Sequence, residues 1–387
     1  MNFAAHYFSR YHAHPAFFDE PPEDDVGMVV VIPCYDDAMV FDTLHSLETT
    51  GPATASVEVV VVVNSGETTP DNIVKENRRI FAELQNRSQS GYYQRFKLLP
   101  ILVEKTPKKR AGVGYARKTG MDEAVRRLAG IDKPAGIIIS LDADTPVHKD
   151  YFSRIENAFK TGAGKEAFTL QFEHDLNPHR YTKEEIEACR LYESYLRYFK
   201  SALEVTGFPY CFHTLGSCFA VTAQAYVKVG GMPCRQGGED FYFLHKLAPM
   251  TNIGEIHETL VYPSPRISTR VPFGTGPNVK NIIENKNFRV YHFDLFLILK
   301  RFFDCFNDFS NLAHPVDLNN VPVEIIDFVG EKKLPAIINE CRLNAKGEKN
   351  LTKRLFSKFD AFFIVKFLNS FGENSRYPPV EVAQKKK

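Results

Sequence analysis

Residues 137–146 read IIISLDADTP, an apolar run that breaks on two carboxylates, Asp142 and Asp144, with one alanine between them. A short, β-branched apolar run of this kind is expected as a strand buried on both faces. Its acids then emerge where the backbone leaves the sheet, at the carboxyl edge, where open α/β sheets take their ligands. Two carboxylates this close repel unless a cation or hydrogen-bond donors lie between them. Hard divalent ions bind through oxygen at about 2.0–2.6 Å, so a metal-bridged phosphate is one occupant of the pair. Capping of a helix that starts near His148 is the other reading.

Similar runs lie on both sides. MVVVIP (28–33), VEVVVVVN (57–64), FKLLPILVE (96–104) and AGIIISLD (135–142) read as four strands, and AFTLQFEH (167–174) as a fifth. Helical stretches at 37–49, 70–88, 112–129 and 149–161 alternate with them, so the expected fold class is α/β, with a mostly parallel central sheet flanked by helices. A long amphipathic helix over 182–203 carries Leu191, Tyr195, Tyr198 and Phe199, which read as packing residues. After the strand-like NIGEIHETLVYP (252–263) comes SPRISTRVPFGTGP (264–277), rich in Pro, Gly and Arg and expected as a loop able to carry function. Beyond 278 the chain turns Phe-rich and helical, as in YHFDLFLILKRFFDCF (291–306) and FDAFFIVKFLNSF (359–371), with apolar faces expected to pack on the sheet. The expected division is an N-terminal extension (1–27), an α/β domain (28–277) and a mainly helical C-terminal extension (278–387).

Composition narrows the classes. With 48 basic and 47 acidic residues in 387 the net charge is +1, which gives no global electrostatic case for nucleic acid or an anionic membrane. The seven cysteines are scattered without a CxxC pair, against a disulfide framework or zinc site and in favour of a reducing cytoplasm. The first residues lack a basic region followed by an apolar core, so no secretory signal is expected. No apolar run of about 18 residues is present, so no transmembrane segment is expected. Peripheral membrane contact stays open.

Further motifs place polar groups near the same edge. Pro33 is expected to stop the first strand, and the turn after it offers Asp36 and Asp37, either to a ribose or base or as helix caps. Gly112 and Gly114 let backbone approach a phosphate, and Arg117 supplies a fork of donors. The neighbouring KTPKKR (105–110) adds positive charge or is solvated surface. GGED (237–240) puts Glu239 and Asp240 at the start of a helix, as caps or as an acid–base pair.

The order of these pieces over roughly 28–263 resembles glycosyltransferase family 2, whose members have the GT-A fold. The resemblance rests on VVVIPCYDD, GVGYARKTGMDEA (112–124), LDADT, GSCFAVTAQAYVKVGGMP (216–233) and GGED. It implies a nucleotide sugar donor, a hydroxyl acceptor that is a glycan, a lipid-linked group or a small molecule, and a divalent metal, manganese or magnesium. By the same resemblance Asp142 takes the ribose side and Asp144 the metal, Asp240 is the base that deprotonates the acceptor, and Glu239 helps bind it, with inversion at the sugar carbon. The donor-binding set is then Pro33, Asp36, Asp37, Asn64, Gly112, Gly114, Arg117, Asp142, Arg266 and Arg270. Two departures stand out. Asn64 ends the second strand where the family often has aspartate, and LVYP with Pro263 stands where a metal-binding histidine often follows. His257 is a candidate ligand beside Asp142 and Asp144, with His292 further on. Arg266 and Arg270, on a loop expected to close over the donor, are expected to neutralise pyrophosphate. Sugar-phosphate nucleotidyl transfer and a non-catalytic nucleotide or glycan binder are the alternative classes.

Overall fold

The computed structural model describes residues 2–11, 14–268, 270, 273–285, 288–310, 315–371 and 376–381. The chain forms two compact units, 1–189 with 214–281, and 190–213 with 282–387. The expected N-terminal extension thus groups with the sheet, and residues 190–213, the later part of the long helix Lys183–Val205 and the chain after it, with the later helices.

The first unit is built on seven strands: β1 (Val26–Cys34), β2 (Ser56–Gly66), β3 (Lys97–Thr106), β4 (Ile137–Ser140), β5 (Ala167–Phe172), β6 (Phe219–Thr222) and β7 (Ile253–Val261), in the order β3-β2-β1-β4-β6-β5-β7. β1 to β4 are parallel, joined by the helices Val40–Glu48, Asp71–Gln89 and Val113–Gly130. The valines of β2 and the isoleucines of β4 are buried, as strands covered on both faces must be. From β1 the chain runs outward through β2 and β3, then returns to place β4 on the other side of β1. That reversal is the switch point of the sheet, where the carboxyl ends of two neighbouring strands open a crevice.

Two features of the sheet position the crevice residues. Pro33 does not end β1, which continues through Cys34. The carbonyl of Val31 accepts the N–H of Leu141, so by alternation Pro33 also faces β4, one step beyond the end of that ladder, where a missing N–H costs no strand bond. β6 is antiparallel to both β4 and β5, with Phe219 opposite Ser140. The strand therefore enters from the carboxyl edge, and its lead-in, Gly216–Cys218, runs beside the end of β4.

The helix Val113–Gly130 is buried on more than one side. One side packs on β1 and β2, while Arg117, Asp122, Glu123 and Arg127 are all nearly inaccessible. Each has partners. Asp122 accepts the hydroxyls of Tyr7 (2.7 Å) and Tyr226 (2.9 Å) and the ammonium of Lys118 (2.8 Å). Glu123 accepts the Phe17 N–H at 3.3 Å. Arg127 pairs with Glu58 and donates to the Glu20 carbonyl at 3.0 Å. The N-terminal segment thus supplies hydrogen-bond partners to charged groups of this helix that are buried away from water.

The second unit contains the helices Phe293–Asp304, Val323–Val329, Lys333–Leu343, Glu348–Lys358 and Ala361–Phe371, with a short pair β8 (Arg289–Val290) and β9 (Val380–Glu381). Its phenylalanines, expected to pack on the sheet, meet one another: Phe302 on Phe359 (ring centroids 4.9 Å), Phe306 on Phe356 (4.9 Å) and Phe359 on Phe363 (5.1 Å). Edge-to-face rings bury large area with defined geometry, so this unit has an aromatic core of its own. No helix among the described residues is long and apolar enough to cross a membrane.

Candidate active site

The site is assembled at the carboxyl ends of β1 and β4. After β1 the backbone turns through Asp36, whose φ is +49°, a left-handed conformation that costs a non-glycine residue roughly 1–3 kcal/mol unless held. Asn77, fully buried on the helix Asp71–Gln89, holds it. Its Oδ1 accepts the Asp36 N–H at 2.8 Å and its Nδ2 donates to the carbonyl of Asn64 at 3.0 Å. The turn delivers Asp37 inward, 4% exposed, with Oδ1 accepting the Met39 N–H at 3.2 Å. After β4, Asp142 and Asp144 lie on the adjacent edge, each side chain partly open to solvent.

Arg117 is the centre of the arrangement. Its guanidinium is 2% exposed and donates from Nε to Glu239 (3.0 Å), from Nη1 to Ser140 Oγ (2.5 Å) and to the Gly216 carbonyl (3.0 Å), and from Nη2 to Asp142 (2.8 Å). The chain lead-in to β6 must be glycine here, because a Cβ on Gly216 would overlap Nη2 and stand 3.1 Å from the guanidinium carbon. Arg117 therefore joins the acidic end of β4 to the acidic start of the helix Glu239–Leu247. Four of its five N–H groups are donated to protein, where the sequence suggested a phosphate contact. A buried guanidinium flanked by two carboxylates is held firmly charged.

Gly112 and Gly114 also meet protein where the sequence reading put phosphate. The Gly114 N–H donates to the Arg235 carbonyl at 3.1 Å. A Cβ there would stand 2.7 Å from the Arg235 nitrogen and 2.9 Å from the Pro233 carbonyl, and one on Gly112 3.0 Å from the Gln236 Cα. The glycines thus let the segment that leads into GGED lie directly on the start of the Arg117 helix. Gly238, with φ +70°, then turns the chain into the helix Glu239–Leu247, with Glu239 buried and Asp240 beside it half-buried. Burial, and then the charge of Glu239, push the Asp240 carboxyl up to about 7, against the opposing pull of Arg117 and the Phe241 N–H.

Solved structures do match this chain. A crystal structure of S. aureus TarS in complex with UDP-GlcNAc is 15% identical, over 86% of this chain and 91% of that one, with a TM-score of 0.43. A mannosyltransferase from Pyrobaculum calidifontis in complex with GDP-Man and Mn2+ is 14% identical over 97% and 88%, TM-score 0.37. Glucosyl-3-phosphoglycerate synthase from Mycobacterium tuberculosis, in complex with Mn2+, UDP-glucose and phosphoglyceric acid, is 14% identical over 62% and 75%, TM-score 0.33. No family model and no curated protein matches the chain.

The two loop arginines come to the same edge. Arg266 pairs with Asp37 and donates to Asp144 Oδ2 from Nε at 3.0 Å, with its Nη2 2.8 Å from the same oxygen. Arg270 donates to Asp37 Oδ2 (3.0 Å) and to the carbonyls of Tyr35 (2.8 Å) and Asp36 (3.2 Å). Of 264–277, expected as a loop, residues 275–277 open the helix Thr275–Asn285, and residues 269, 271 and 272 lie outside the described residues. Asp37, Asp142, Asp144, Glu239 and Asp240 thus face Arg117, Arg266 and Arg270, which leaves negative charge in excess. Burial, and then the neighbouring acids, raise the Asp144 carboxyl above the ordinary aspartate range even though Arg266 pulls it down.

His257 is not brought to this edge. It is exposed on β7, four residues back from Val261, whose neighbours Leu260 and Tyr262 pair with His148 and Pro146 just past the DAD turn. At about 3.3 Å per residue that is ~13 Å along the strand. His292 belongs to the second unit, where it caps the helix Phe293–Asp304. Among the described residues no cluster of three His, Cys, Asp or Glu groups is arranged to hold a metal. Three contributors escaped the sequence reading: Ser140, Gly216 in its role as carbonyl acceptor, and Asn77. Nothing in the local pattern marks Ser140 or Asn77, whose partners come from other elements.

Proposed function

We propose that this protein is a glycosyltransferase that moves a sugar from a nucleotide sugar to an acceptor hydroxyl, with inversion and with help from a divalent metal, in polysaccharide or glycoconjugate synthesis in the cytoplasm. The observation that carries the reading is the single buried Arg117 shared by Asp142 of DAD and Glu239 of GGED. It ties the donor half and the acceptor half of the motif set to one crevice at the switch point. Together with the ordered motifs that resemble glycosyltransferase family 2, this favours glycosyl transfer over nucleotidyl transfer, which has no use for a second acidic pair at this position.

In this reading Asp240 takes the proton of the acceptor hydroxyl, since a carboxyl raised to about 7 accepts a proton more readily than an ordinary aspartate. Glu239, fixed by Arg117, lines the acceptor side. Asp36, Asp37 and Asn64 border the nucleoside, and Arg266 and Arg270 meet the phosphates. Asp144, with Asp142, would hold the metal. Two carboxylates completed by phosphate oxygens and water suit magnesium or manganese, and the excess negative charge of the crevice fits a cation. Once bound, the metal neutralises charge on the departing nucleoside diphosphate.

Release of nucleoside diphosphate from a panel of nucleotide sugars, with and without manganese, tests the proposal. Transfer or slow hydrolysis is the expected result. Pyrophosphate release from a nucleoside triphosphate and a sugar phosphate would replace it with nucleotidyl transfer, and binding without turnover with a non-catalytic role.

A further inference from the structure

Arg266 occupies a position with a double claim on it. Its guanidinium lies between Asp37 at the end of β1 and Asp144 at the end of β4, and both of its bonds to Asp144 fall on one oxygen, Oδ2. Among the described residues the one side chain pairing with Asp144 is this arginine, whereas Asp37 has Arg270 as a second partner. A guanidinium stays charged at any physiological pH, so the crevice carries a cation of its own at the carboxylate assigned to the metal.

We propose that Arg266 is the resident cation of the metal site: it yields Asp144 when a divalent ion binds, and the donor's diphosphate is the partner it takes in exchange. The inference rests on the metal-assisted reading above and adds a competition to it. A guanidinium that is only about a quarter exposed and loses one of its two carboxylates needs another anion, and a diphosphate offers oxygens in the bidentate geometry that arginine matches best. The ion alone therefore breaks a formed pair and leaves the arginine uncompensated, whereas the ion with a diphosphate breaks the same pair and supplies the arginine with a new partner. By linkage, the nucleotide raises metal affinity and the metal raises nucleotide affinity by the same factor. Arg270 remains on Asp37 throughout, so that acid is never left bare.

Mn2+ titrations followed by the paramagnetic resonance signal of the free ion, on the full chain, test this without recourse to turnover. They are run with Mn2+ alone and with Mn2+ plus UDP or GDP, on wild type, Arg266→Gln, Arg266→Lys and Asp144→Asn, each checked for folding by circular dichroism and melting. Arg266→Gln is expected to bind Mn2+ alone on the order of tenfold more tightly than wild type, and to lose a similar factor of the enhancement given by the nucleotide. Arg266→Lys, which keeps the charge and loses the fork, is expected between the two and carries the test if the glutamine variant does not fold. Asp144→Asn is expected to lose the binding. Equal or weaker Mn2+ binding by the folded arginine variants overturns the competition and leaves the metal reading standing. An absence of Mn2+ binding in every sample, with or without nucleotide, overturns both.

Discussion

Asp240 and Arg117 show how differently two residues of one site can be read from sequence. Acids that end an apolar run or open a helix after glycines announce themselves, and Asp142, Asp144, Glu239 and Asp240 do so. Arg117 announces a donor but not its use, because its acceptors stand 23, 25, 99 and 122 residues away. Asp240→Asn keeps the size of the side chain and cannot take a proton. It is expected to retain donor affinity and to lower transfer by about 10² to 10⁴, as seen by setting nucleotide titrations beside turnover. In wild type, transfer is expected to rise with pH through about 7 and level off above it, as Asp240 loses its proton; a kcat profile flat from mildly acid to alkaline pH removes it as the base. The same carboxyl bears on stability. It keeps its proton to higher pH when folded than when unfolded, so from about 4 to about 7 its contribution to stability falls as pH rises. Asp240→Asn should therefore melt above wild type beyond pH ~7, with the gap closing toward pH ~4. Arg117→Met strands two carboxylates and is expected to cost about 3–5 kcal/mol, measured as a drop in the urea midpoint.

The strands and helices were the most readable layer, since continuous valines and isoleucines leave little choice of burial. β1, β2 and the helix Val113–Gly130 lie within about two residues of their expected bounds. What pattern could not supply was direction. Nothing in FAVT distinguishes a strand that joins the sheet antiparallel from one that continues it, because that choice is made by where the chain arrives from. The glycines of GVG illustrate the same limit. A glycine before a helix signals a close approach but not the identity of what approaches, and here it is the backbone of 233–236. Gly114→Ala is accordingly expected to push that segment away and to destabilise the fold by about 1–3 kcal/mol. A melting temperature unchanged from wild type would show that the contact is soft. The expected functional cost is a weaker response to acceptor more than to donor, since the displaced segment leads into GGED.

Seen entire, the chain places its charged residues by reach across long stretches of sequence, and the extension at its start is part of that. Deletion of residues 2–20 removes Tyr7 from Asp122, the Phe17 N–H from Glu123 and the Glu20 carbonyl from Arg127. The truncated protein is expected to melt several degrees lower and to bind an apolar dye such as ANS, because its buried acids and apolar neighbours lose their cover; a melting curve that matches wild type would reduce the segment to decoration. Nothing in the sequence warned of this role, since residues 1–27 read only as an extension without a secretory signal. The span of the Arg266–Asp37 pair, 229 residues, also sets a schedule for the protein's birth. A ribosome adding about 5–20 residues per second needs roughly 10 to 50 s to make that much chain. Throughout that interval the β1 turn has been made while Arg266 has not, and its aspartates lack that partner. A nascent chain stalled before Arg266 would hold most of the sheet and neither loop arginine, so the crevice is at its most acidic before its last two cations are made.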